Sequence, residues 1–599
     1  MKTRLIAGAL VGLSIVYLAL FVPRGWIPHD EGMIGQSAER VLNGERPHVD
    51  YEEPYTGGLA WLHALVFKLS GVDLIFPRWL LFAGAVVAQV LTYLILRRFV
   101  EPIGAAIGTW LALGWSFPNY FAALPSWWLL VCALVCIWAF VKYTETGLLR
   151  YVAAAGIAAG IAILIKQTGL YLLVALVMAL LYGGGRENHK IRTWWPGRIA
   201  CAGVAVGALG LSLMILAARP ALSDLLYLFV PILACSRLLL ADDGQQSSRQ
   251  PWGVLAAPAM AVAAAALPLL IFIIPYLIDQ EIGILLRGVF VLPQKRVQFA
   301  AVEMPPAHWI LAGLPLLAIV MPLPAFARTP ALGNRYMAAM LWVIGAILVV
   351  AALYNVTAYQ LIWHAARGVA ALLPVAICGM LMSGYAHDAK ERRILFGFAA
   401  FLAWASLVQV PFSAPIYFCY VAPIGIVAAA GVARYNRAFN RPALAVSVAV
   451  LLAFALVSMN RGYVYNLGAR HRPLAIAAPL DLERASLRVT DADAVSYRRV
   501  IELISSHIGD GDLVAGPDVP EVYFLAGRFS LSDTLFDFFT DQATAEGGLN
   551  DMPGLSTASV VVLNHGRSFS AGPSAHLAAK VRRMFPNSEG IGVLEVRWR

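Results

Sequence analysis

An acidic pair, Asp30 and Glu31, follows closely on the first hydrophobic stretch of the chain. That stretch runs from Leu5 to Val22 without a charged residue, and at about 1.5 Å per residue it nearly matches the thickness of a bilayer core. Because Lys2 and Arg4 precede it, the positive-inside rule predicts a cytoplasmic N-terminus. Both carboxylates would then emerge at the opposite membrane–water boundary. Carboxylates in that place suit an enzyme that acts on lipid-carried substrates outside the cytoplasm.

Basic side chains predicted on the same outer side form a second group of candidates. Lys166 is the strongest, because the apolar stretch before it is only about 22 Å long, against a hydrocarbon core of about 30 Å. Its ammonium group would start at membrane depth, where a charge needs a partner such as a lipid phosphate. Snorkelling of a helix-end lysine to the interface is the structural alternative. The other candidate cations are Arg78, Arg287, Lys295, Arg296 and Arg367.

The composition predicts what kind of protein must position these groups. Hydrophobic residues make up 60% and charged residues 13% of the 599 residues, and the mean hydropathy is +0.71. A soluble chain carries about 25% charged residues. The chain is therefore predicted to be a polytopic α-helical membrane protein. Its net charge of +10 is spread over many loops and forms no basic face, so nucleic-acid binding is not expected.

The apolar stretches predict about 15 transmembrane helices. They lie near residues 5–22, 75–96, 102–118, 126–141, 150–165, 168–182, 199–217, 224–238, 254–278, 308–325, 336–354, 366–383, 393–409, 416–432 and 441–459. The loops that alternation then places inside are rich in Lys and Arg, whereas those placed outside are balanced in charge. This bias predicts a cytoplasmic N-terminus and an external C-terminus. We expect a multi-pass protein of a bacterial inner membrane.

The first external loop, residues 23–75, is predicted to be ordered by the membrane surface. Residues 31–43 have an apolar stripe opposite Gln36, Glu39 and Arg40, which is the pattern of an interfacial helix. Residues 58–69 are apolar but too short to span. Between the two helices lies a stretch dense in acidic and aromatic side chains, which contains the candidates Glu53 and Tyr55. Asp30 could alternatively serve only as the N-cap of a helix that begins at Glu31.

The composition becomes that of a soluble domain near residue 461. We therefore expect a transmembrane domain over residues 1–460 and a small extracytoplasmic α/β domain over residues 461–599. Helix and strand patterns alternate in the second part, with a capped amphipathic helix at 493–508 and buried strands at 512–516, 559–563 and 592–598. The pattern favours a structural or acceptor-docking role for this domain.

Several of these features together resemble a known group of enzymes. They are a first span, an Asp-Glu pair that opens a surface helix, and Glu53-Pro54 before a second surface helix. This order resembles the polytopic glycosyltransferases of the GT-C fold, notably the lipid A aminoarabinose transferases, the protein O-mannosyltransferases and the RgtA/B/C/D-like sugar transferases. The similarity is best over residues 1–180, where Ile165–Gly169, with Lys166 and Gln167, is a second matching element. Residues 522–528 are similar to the tail domains of that group.

The resemblance implies a reaction. Such enzymes move a sugar from a polyprenyl-phosphate donor to a hydroxyl group at the outer membrane face, here on an envelope glycan, glycolipid or protein. By resemblance, Asp30 is the general base that takes the hydroxyl proton, and Glu31 positions the acceptor or tunes Asp30. One displacement would invert the anomeric centre, and cations would hold the departing phosphate. Residues 279–306 either cover a substrate cavity, as the resemblance suggests, or bind lipid head groups.

The chain also departs from its presumed relatives. Where the aminoarabinose transferase has a phosphate-binding lysine before the loop proline, this chain has Glu53, so the role must move elsewhere or the donor is held differently. The second external loop, 117–126, lacks the acidic residue of several relatives, so a divalent metal is possible but is not supported by a second acidic loop. The rival functions are a transporter or lipid flippase, and an envelope scaffold. A transporter should carry ionisable residues in mid-span and repeated, broken helices, whereas these spans are nearly free of charge.

Overall fold

Long uncharged stretches can satisfy their backbone hydrogen bonds within a bilayer only as helices, and this constraint dominates the fold. A computed structural model describes residues 2–183, 195–217, 221–241, 253–322, 331–384, 388–435, 441–460, 475–540, 543–544, 548–566 and 569–599. The helices up to residue 183 are α1 (Lys2–Ala19), α2 (Pro28–Leu42), α3 (Gly58–Ser70), α4 (Ile75–Leu96), α5 (Pro102–Gly114), α6 (Pro125–Thr146), α7 (Leu149–Ile165) and α8 (Leu170–Leu181).

The helical part continues to residue 460. Its helices are α9 (Trp195–Ala217), α10 (Leu222–Asp224), α11 (Val230–Ala241), α12 (Gly253–Ile278), α13 (Ile282–Phe290), α14 (Lys295–Ala300), α15 (Leu314–Val320), α16 (Ala331–Ala352), α17 (Val356–Met382), α18 (Ala389–Ala405), α19 (Pro415–Cys419), α20 (Ala422–Ala433) and α21 (Arg441–Phe454). Among the described residues, eight helices are long and apolar enough to cross a membrane. The multi-pass helical architecture is thus confirmed, whereas the count of about 15 spans stays a prediction.

Contacts between loops agree with the predicted alternation of the helices. Loops predicted on the cytoplasmic side contact one another, as in the ion pair of Arg98 with Glu145 and that of Arg434 with Glu391. Segments predicted outside also meet, since Arg46 of the first external loop pairs with Glu281 at 3.0 Å. If one transmembrane span had been miscounted, every later loop would be assigned to the wrong side of the membrane. Loops predicted on opposite sides would then be in contact, and these ion pairs show no such contact.

The C-terminal domain, residues 475–599, is a small α/β unit. Its helices are α22 (Asp491–His507), α23 (Pro520–Ala526) and α24 (Ala575–Met584), and its strands are β1 (Ala478–Pro479), β2 (Arg488–Val489), β3 (Asp512–Gly516), β4 (Ala543–Thr544), β5 (Gly548–Leu549), β6 (Ala558–Asn564), β7 (Asn587–Ile591) and β8 (Leu594–Trp598). The central sheet has the order β3-β6-β8-β7, with β3 parallel to β6 and the other pairs antiparallel. The predicted class is confirmed. The expected boundary at residue 461 falls outside the described residues.

Helix α2, which carries Asp30 and Glu31, packs against the C-terminal domain. Helix α2 contacts α23 so closely that a methyl group at Gly32 would collide with the backbone of Glu521, and one at Gly35 with the ring of Phe524. Only glycine permits this approach, because it has no Cβ. The first external loop is also joined to the domain by main-chain hydrogen bonds, among them Gly25 N to Arg488 O at 2.7 Å.

This packing corrects the predicted environment of α2. The amphipathic pattern placed its polar face in water at the membrane surface. Instead, the Gln36 amide donates to Arg528 O at 2.9 Å, and Arg40 Nη2 donates to Ser530 O at 2.9 Å. Glu39 forms an ion pair with Arg484. The spacing of apolar residues in α2 is that of a surface helix. Its polar face nevertheless packs against the C-terminal domain, which lies more than 400 residues further along the chain.

Candidate functional site

Asp30 lies in the first turn of α2. The helix begins at Pro28, and the residue before it, Ile27, makes no side-chain cap. The alternative in which Asp30 serves only as the cap of a helix that begins at Glu31 is therefore wrong. Asp30 is 23% exposed, and its Oδ1 lies 3.8 Å from Nε2 of His29. It is also within electrostatic range of the Tyr420 hydroxyl, and its carboxylate remains partly exposed.

Glu31 and Arg78 form a buried ion pair. Arg78 Nε donates to Glu31 Oε1 at 2.8 Å, and Arg78 Nη2 donates to Oε2 at 2.5 Å. The guanidinium also donates to the carbonyl oxygens of Val22, Arg24 and Gly25. Burial raises the pKa of Glu31, and the charge of Arg78 opposes this rise. Because its donors are engaged in this way, Arg78 positions the acidic pair and is poorly placed to bind a phosphate.

Glu53 orders the turn that presents Tyr55. The Ser37 hydroxyl donates to Glu53 Oε2, and the Tyr55 backbone N–H donates to Glu53 Oε1 at 3.3 Å. Glu53 is 4% exposed. Its carboxylate thus holds the loop against α2, and the ring of Tyr55 is directed toward the end of α7.

Lys166 points into the protein. Helix α7 ends at Ile165, and Lys166 adopts an extended conformation that turns its side chain inward. Its Nζ donates to the Ser126 hydroxyl at 3.1 Å and lies 5.4 Å from the ring centroid of Tyr55 and 5.6 Å from that of Tyr417. The residue is 8% exposed. This placement favours a binding role over snorkelling, which would carry the ammonium group to open interface. The next residue, Gln167, has a buried Oε1 without a hydrogen-bond partner among the described residues.

Three tyrosines connect the two ends of the candidate site. Tyr417 and Tyr420 have ring centroids 5.6 Å apart, and the Tyr420 hydroxyl interacts electrostatically with Asp30 and Tyr55. Asp30 and Lys166 therefore border the same tyrosine cluster, which consists of Tyr55, Tyr417 and Tyr420. Ser126, Tyr417 and Tyr420 were not predicted as site residues from the sequence. Their only signal was the position of aromatic and hydroxyl side chains at the outer ends of two predicted spans.

Arg367 is a second buried cation. On α17, its Nη2 donates to Gln409 Oε1 and to the Ser413 hydroxyl, both at 2.7 Å. In the described part of the chain, no carboxylate pairs with this guanidinium, and its Nε has no hydrogen-bond partner. Its charge also acts on Tyr227 and Cys419. Arg367 thus holds its guanidinium in the protein interior, where it is 4% exposed.

The remaining candidates lie in the segment 279–306. Arg287 is exposed on α13. Lys295 Nζ donates to the Phe539 carbonyl, so this segment is joined to the C-terminal domain. The side chain of Arg296 lies outside the described residues. None of these placements tests a role in substrate binding.

An apolar cavity of about 550 Å³ lies between α5, α15, α17, α20 and α21. Trp115, Ala366 and Phe418 line one part of it, and Arg441 lies at another. Ala366 and Ala370 of α17, the helix that also carries Arg367, belong to its lining. A cavity of this apolar lining fits an aliphatic chain.

No group of three or more His, Cys, Asp or Glu side chains suited to hold a metal ion occurs in the described parts of the chain. Two of the acidic side chains near the site, Glu31 and Glu53, are instead engaged with protein groups. Within those parts, a metal site thus has no candidate ligand set.

Comparisons with known proteins bear on the first third of the chain. Residues 57–215 match the family described as dolichyl-phosphate-mannose-protein mannosyltransferase. This match confirms the resemblance to the protein O-mannosyltransferases within the GT-C glycosyltransferases. No curated protein sequence shows a significant match.

Solved structures of two enzymes are similar at low identity. The oligosaccharyltransferase of Archaeoglobus fulgidus in its apo form is 12% identical, with 93% of this chain and 69% of that chain covered and a TM-score of 0.42. ArnT from Cupriavidus metallidurans, bound to undecaprenyl phosphate, is 12% identical, with 98% and 97% covered and a TM-score of 0.30. At these TM-scores, the family match and not the two structures supports a role in sugar transfer.

Proposed function

We propose that the protein is an inverting glycosyltransferase that moves a sugar from a polyprenyl-phosphate donor to a hydroxyl group at the outer membrane face. The family match over residues 57–215 supports sugar transfer in the membrane. The observation that carries the proposal is that Asp30 and Lys166, a carboxylate and an ammonium group from distant helices, border one tyrosine cluster. In the proposed reaction, the base acts on the acceptor hydroxyl and the cation on the departing phosphate, so both groups must lie close to the same anomeric carbon.

Asp30 is the general base of the proposed reaction. The acceptor oxygen attacks the anomeric carbon and loses its proton to the Asp30 carboxylate, while the bond from that carbon to the phosphate oxygen breaks and its electron pair leaves with the phosphate. One displacement inverts the anomeric centre. Glu31 does not take the proton, because its two oxygens are held by Arg78. Its role is to position the first turn of α2.

Lys166 is the proposed partner of the departing phosphate. The Ser126 hydroxyl and the faces of Tyr55 and Tyr417 surround its ammonium group. These neighbours exclude water, and a charge-assisted contact is stronger in such a site. As the donor bond breaks, charge grows on the phosphate, and a fixed cation stabilises that charge more than the ground state. Gln167, with a buried free acceptor, is placed to receive a hydrogen bond from the donor sugar.

The apolar cavity is the proposed path for the lipid chain. Its lining is almost wholly aliphatic and aromatic. Arg367, on the helix α17 that contributes to this lining, has no carboxylate partner in the described structure. A donor with an isoprenoid chain and a phosphate matches both features. Arg367 would hold the phosphate as the lipid enters, and Lys166 would hold it during transfer. The exposed Arg287 and the Lys295-Arg296 pair would then contact the lipid head groups or the acceptor.

A comparison of envelope glycans with and without the gene tests this function. Mass spectrometry should show that one sugar is missing when the gene is deleted, while the sugar-loaded lipid donor accumulates. Complementation with Asp30→Asn should fail, whereas Asp50→Asn, which changes an exposed acid of the same loop, should restore the product. An unaltered glycan profile would overturn the proposal. Loss of the glycan with donor held on the cytoplasmic side would indicate the lipid flippase instead.

A further inference from the structure

The C-terminal domain builds a phenylalanine seat against the first turn of α2. Phe536, Phe538 and Phe569 pack on one another with ring centroids 5.3 to 5.4 Å apart. The imidazole of His29 packs edge-on against Phe569 at 5.0 Å and against Phe536 at 6.4 Å. His29 directly precedes Asp30. The residue before the proposed base is therefore held by a domain that begins more than 400 residues later.

Asp518 lies behind this seat. It is 1% exposed, its Oδ2 accepts from Ser570 N at 2.6 Å, and its Oδ1 accepts from Phe538 N at 3.3 Å. Its own backbone N–H donates to Asp537 Oδ2 at 2.7 Å. The residues that hold Asp518 are thus the phenylalanines of the seat or their direct neighbours. Burial raises the pKa of Asp518, and the hydrogen bonds from Ser570 and Phe538, together with a smaller influence of His29, oppose that rise.

His29 consequently lies near two carboxylates from different parts of the chain. Its Nε2 is 3.8 Å from Asp30 Oδ1, and Asp518, which is held by residues of the phenylalanine seat and their neighbours, is within electrostatic range. We propose that His29 is a positioning residue for Asp30, held by the phenylalanine seat and Asp518, so that the C-terminal domain is part of the machinery that activates the acceptor. This inference rests on the proposed role of Asp30 as general base.

The physical reason is the freedom of an aspartate in the first turn of a helix. Asp30 is partly exposed, and a base that rotates away from the acceptor hydroxyl loses much of its effect. An imidazole beside it restricts the rotamers of the carboxylate. His29 itself takes no proton from the acceptor. That proton passes to Asp30 and then to water after the product leaves.

A double-mutant cycle in the full-length membrane protein tests the inference. We expect His29→Ala to lower kcat about ten- to a hundredfold with little change in KM for the lipid donor, because orientation and not donor binding is lost. His29→Asn should restore part of kcat. Asp518→Asn should also lower kcat, and its effect should vanish in the His29→Ala background, because Asp518 acts through His29.

Matched controls separate this role from folding. His565 and Glu595 form a histidine–carboxylate pair within the C-terminal domain, at 2.8 Å, away from His29. His565→Gln removes this pair and should leave kcat unchanged. If His29→Ala does not fold, Phe569→Leu, which alters the seat alone, should still lower kcat and spare KM. Additive effects of His29→Ala and Asp518→Asn would overturn the inference, as would an unchanged kcat in His29→Ala. An active Asp30→Asn would instead overturn the proposed function.

Discussion

The carboxylate of Glu31 and the guanidinium of Arg78 form a bidentate ion pair inside the protein, directly beside the proposed base. Arg78 is fully buried, and Glu31 is 2% exposed. The pair joins the first turn of α2 to the first turn of α4, and three backbone carbonyls of residues 22–25 complete the shell of the guanidinium. Of the two acidic residues, Glu31 is thus held by Arg78, whereas Asp30 remains partly exposed.

Breaking this pair should destabilise the protein. Removal of one partner leaves a buried charge uncompensated, which costs about 3–5 kcal/mol. We expect Arg78→Met and Glu31→Gln each to lower the midpoint of thermal unfolding in detergent, and the double variant to lose less than the sum. Arg287→Gln, at an exposed arginine, is the control. An unchanged midpoint in Arg78→Met would show that the pair contributes little.

Asp30→Asn should abolish transfer without lowering the amount of protein in the membrane. The substitution keeps the size of the side chain and breaks no buried pair, but it removes the base. General-base catalysis contributes roughly 10²- to 10⁴-fold, and the loss should fall in that range. The measurement is single-turnover transfer from a purified lipid donor in proteoliposomes. Retention of more than about a tenth of the rate would end the assignment of Asp30 as general base.

Lys166→Gln tests the phosphate-binding cation. Loss of a charge-assisted contact in a poorly hydrated site should cost about 2–4 kcal/mol, a rate loss of roughly 30- to 1000-fold. Lys166→Arg should restore part of the rate, because the charge survives while its geometry changes. Wild-type turnover in Lys166→Gln would transfer the role to Arg367, whose guanidinium can be tested in the same assay by Arg367→Gln.

The contact between α2 and the C-terminal domain should depend on pH through Glu521. Burial raises the pKa of this carboxyl group to about 7, and the Tyr497 hydroxyl donates to it at 3.0 Å. A carboxyl group whose pKa is higher in the folded state stabilises that state below its ordinary pKa, and the stabilisation is lost as pH rises toward 7. Glu521→Gln should therefore raise the unfolding midpoint at pH 7.5 and flatten its dependence between about pH 4.5 and 7. An equal pH dependence in both proteins would contradict this prediction.

The orientation of the chain is open to a direct test. Alternation and the Lys/Arg bias predict that a reporter active only outside the cytoplasm is active when fused after Arg599 and silent when fused after Thr146, at the end of α6. A fusion after Gly468, which lies outside the described residues, should also be active. The reverse result would place the site where nucleotide sugars serve as donors and would exclude the lipid-carrier mechanism.

Much of the local structure can be predicted from the sequence. The predicted span 75–96 coincides with α4, and the predicted strand 512–516 coincides with β3. These elements have strong periodic or uninterrupted apolar patterns, which determine their type wherever they pack. The alternative role of Asp30 as a helix cap was wrong because the helix begins at Pro28, three residues before Glu31, and proline is favoured in the first turn.

The sequence by itself determined the class of the protein, its helices and which residue types could do chemistry, because hydropathy and periodicity are local properties. Only the tertiary structure decided how those residues divide their roles. It pairs Glu31 with Arg78, brings Lys166 to Ser126 and two tyrosines, and sets His29 against Phe569 of the C-terminal domain. Each partner lies tens to hundreds of residues away in the chain. Such contacts depend on how whole helices and domains pack, and no local pattern of residues encodes that packing.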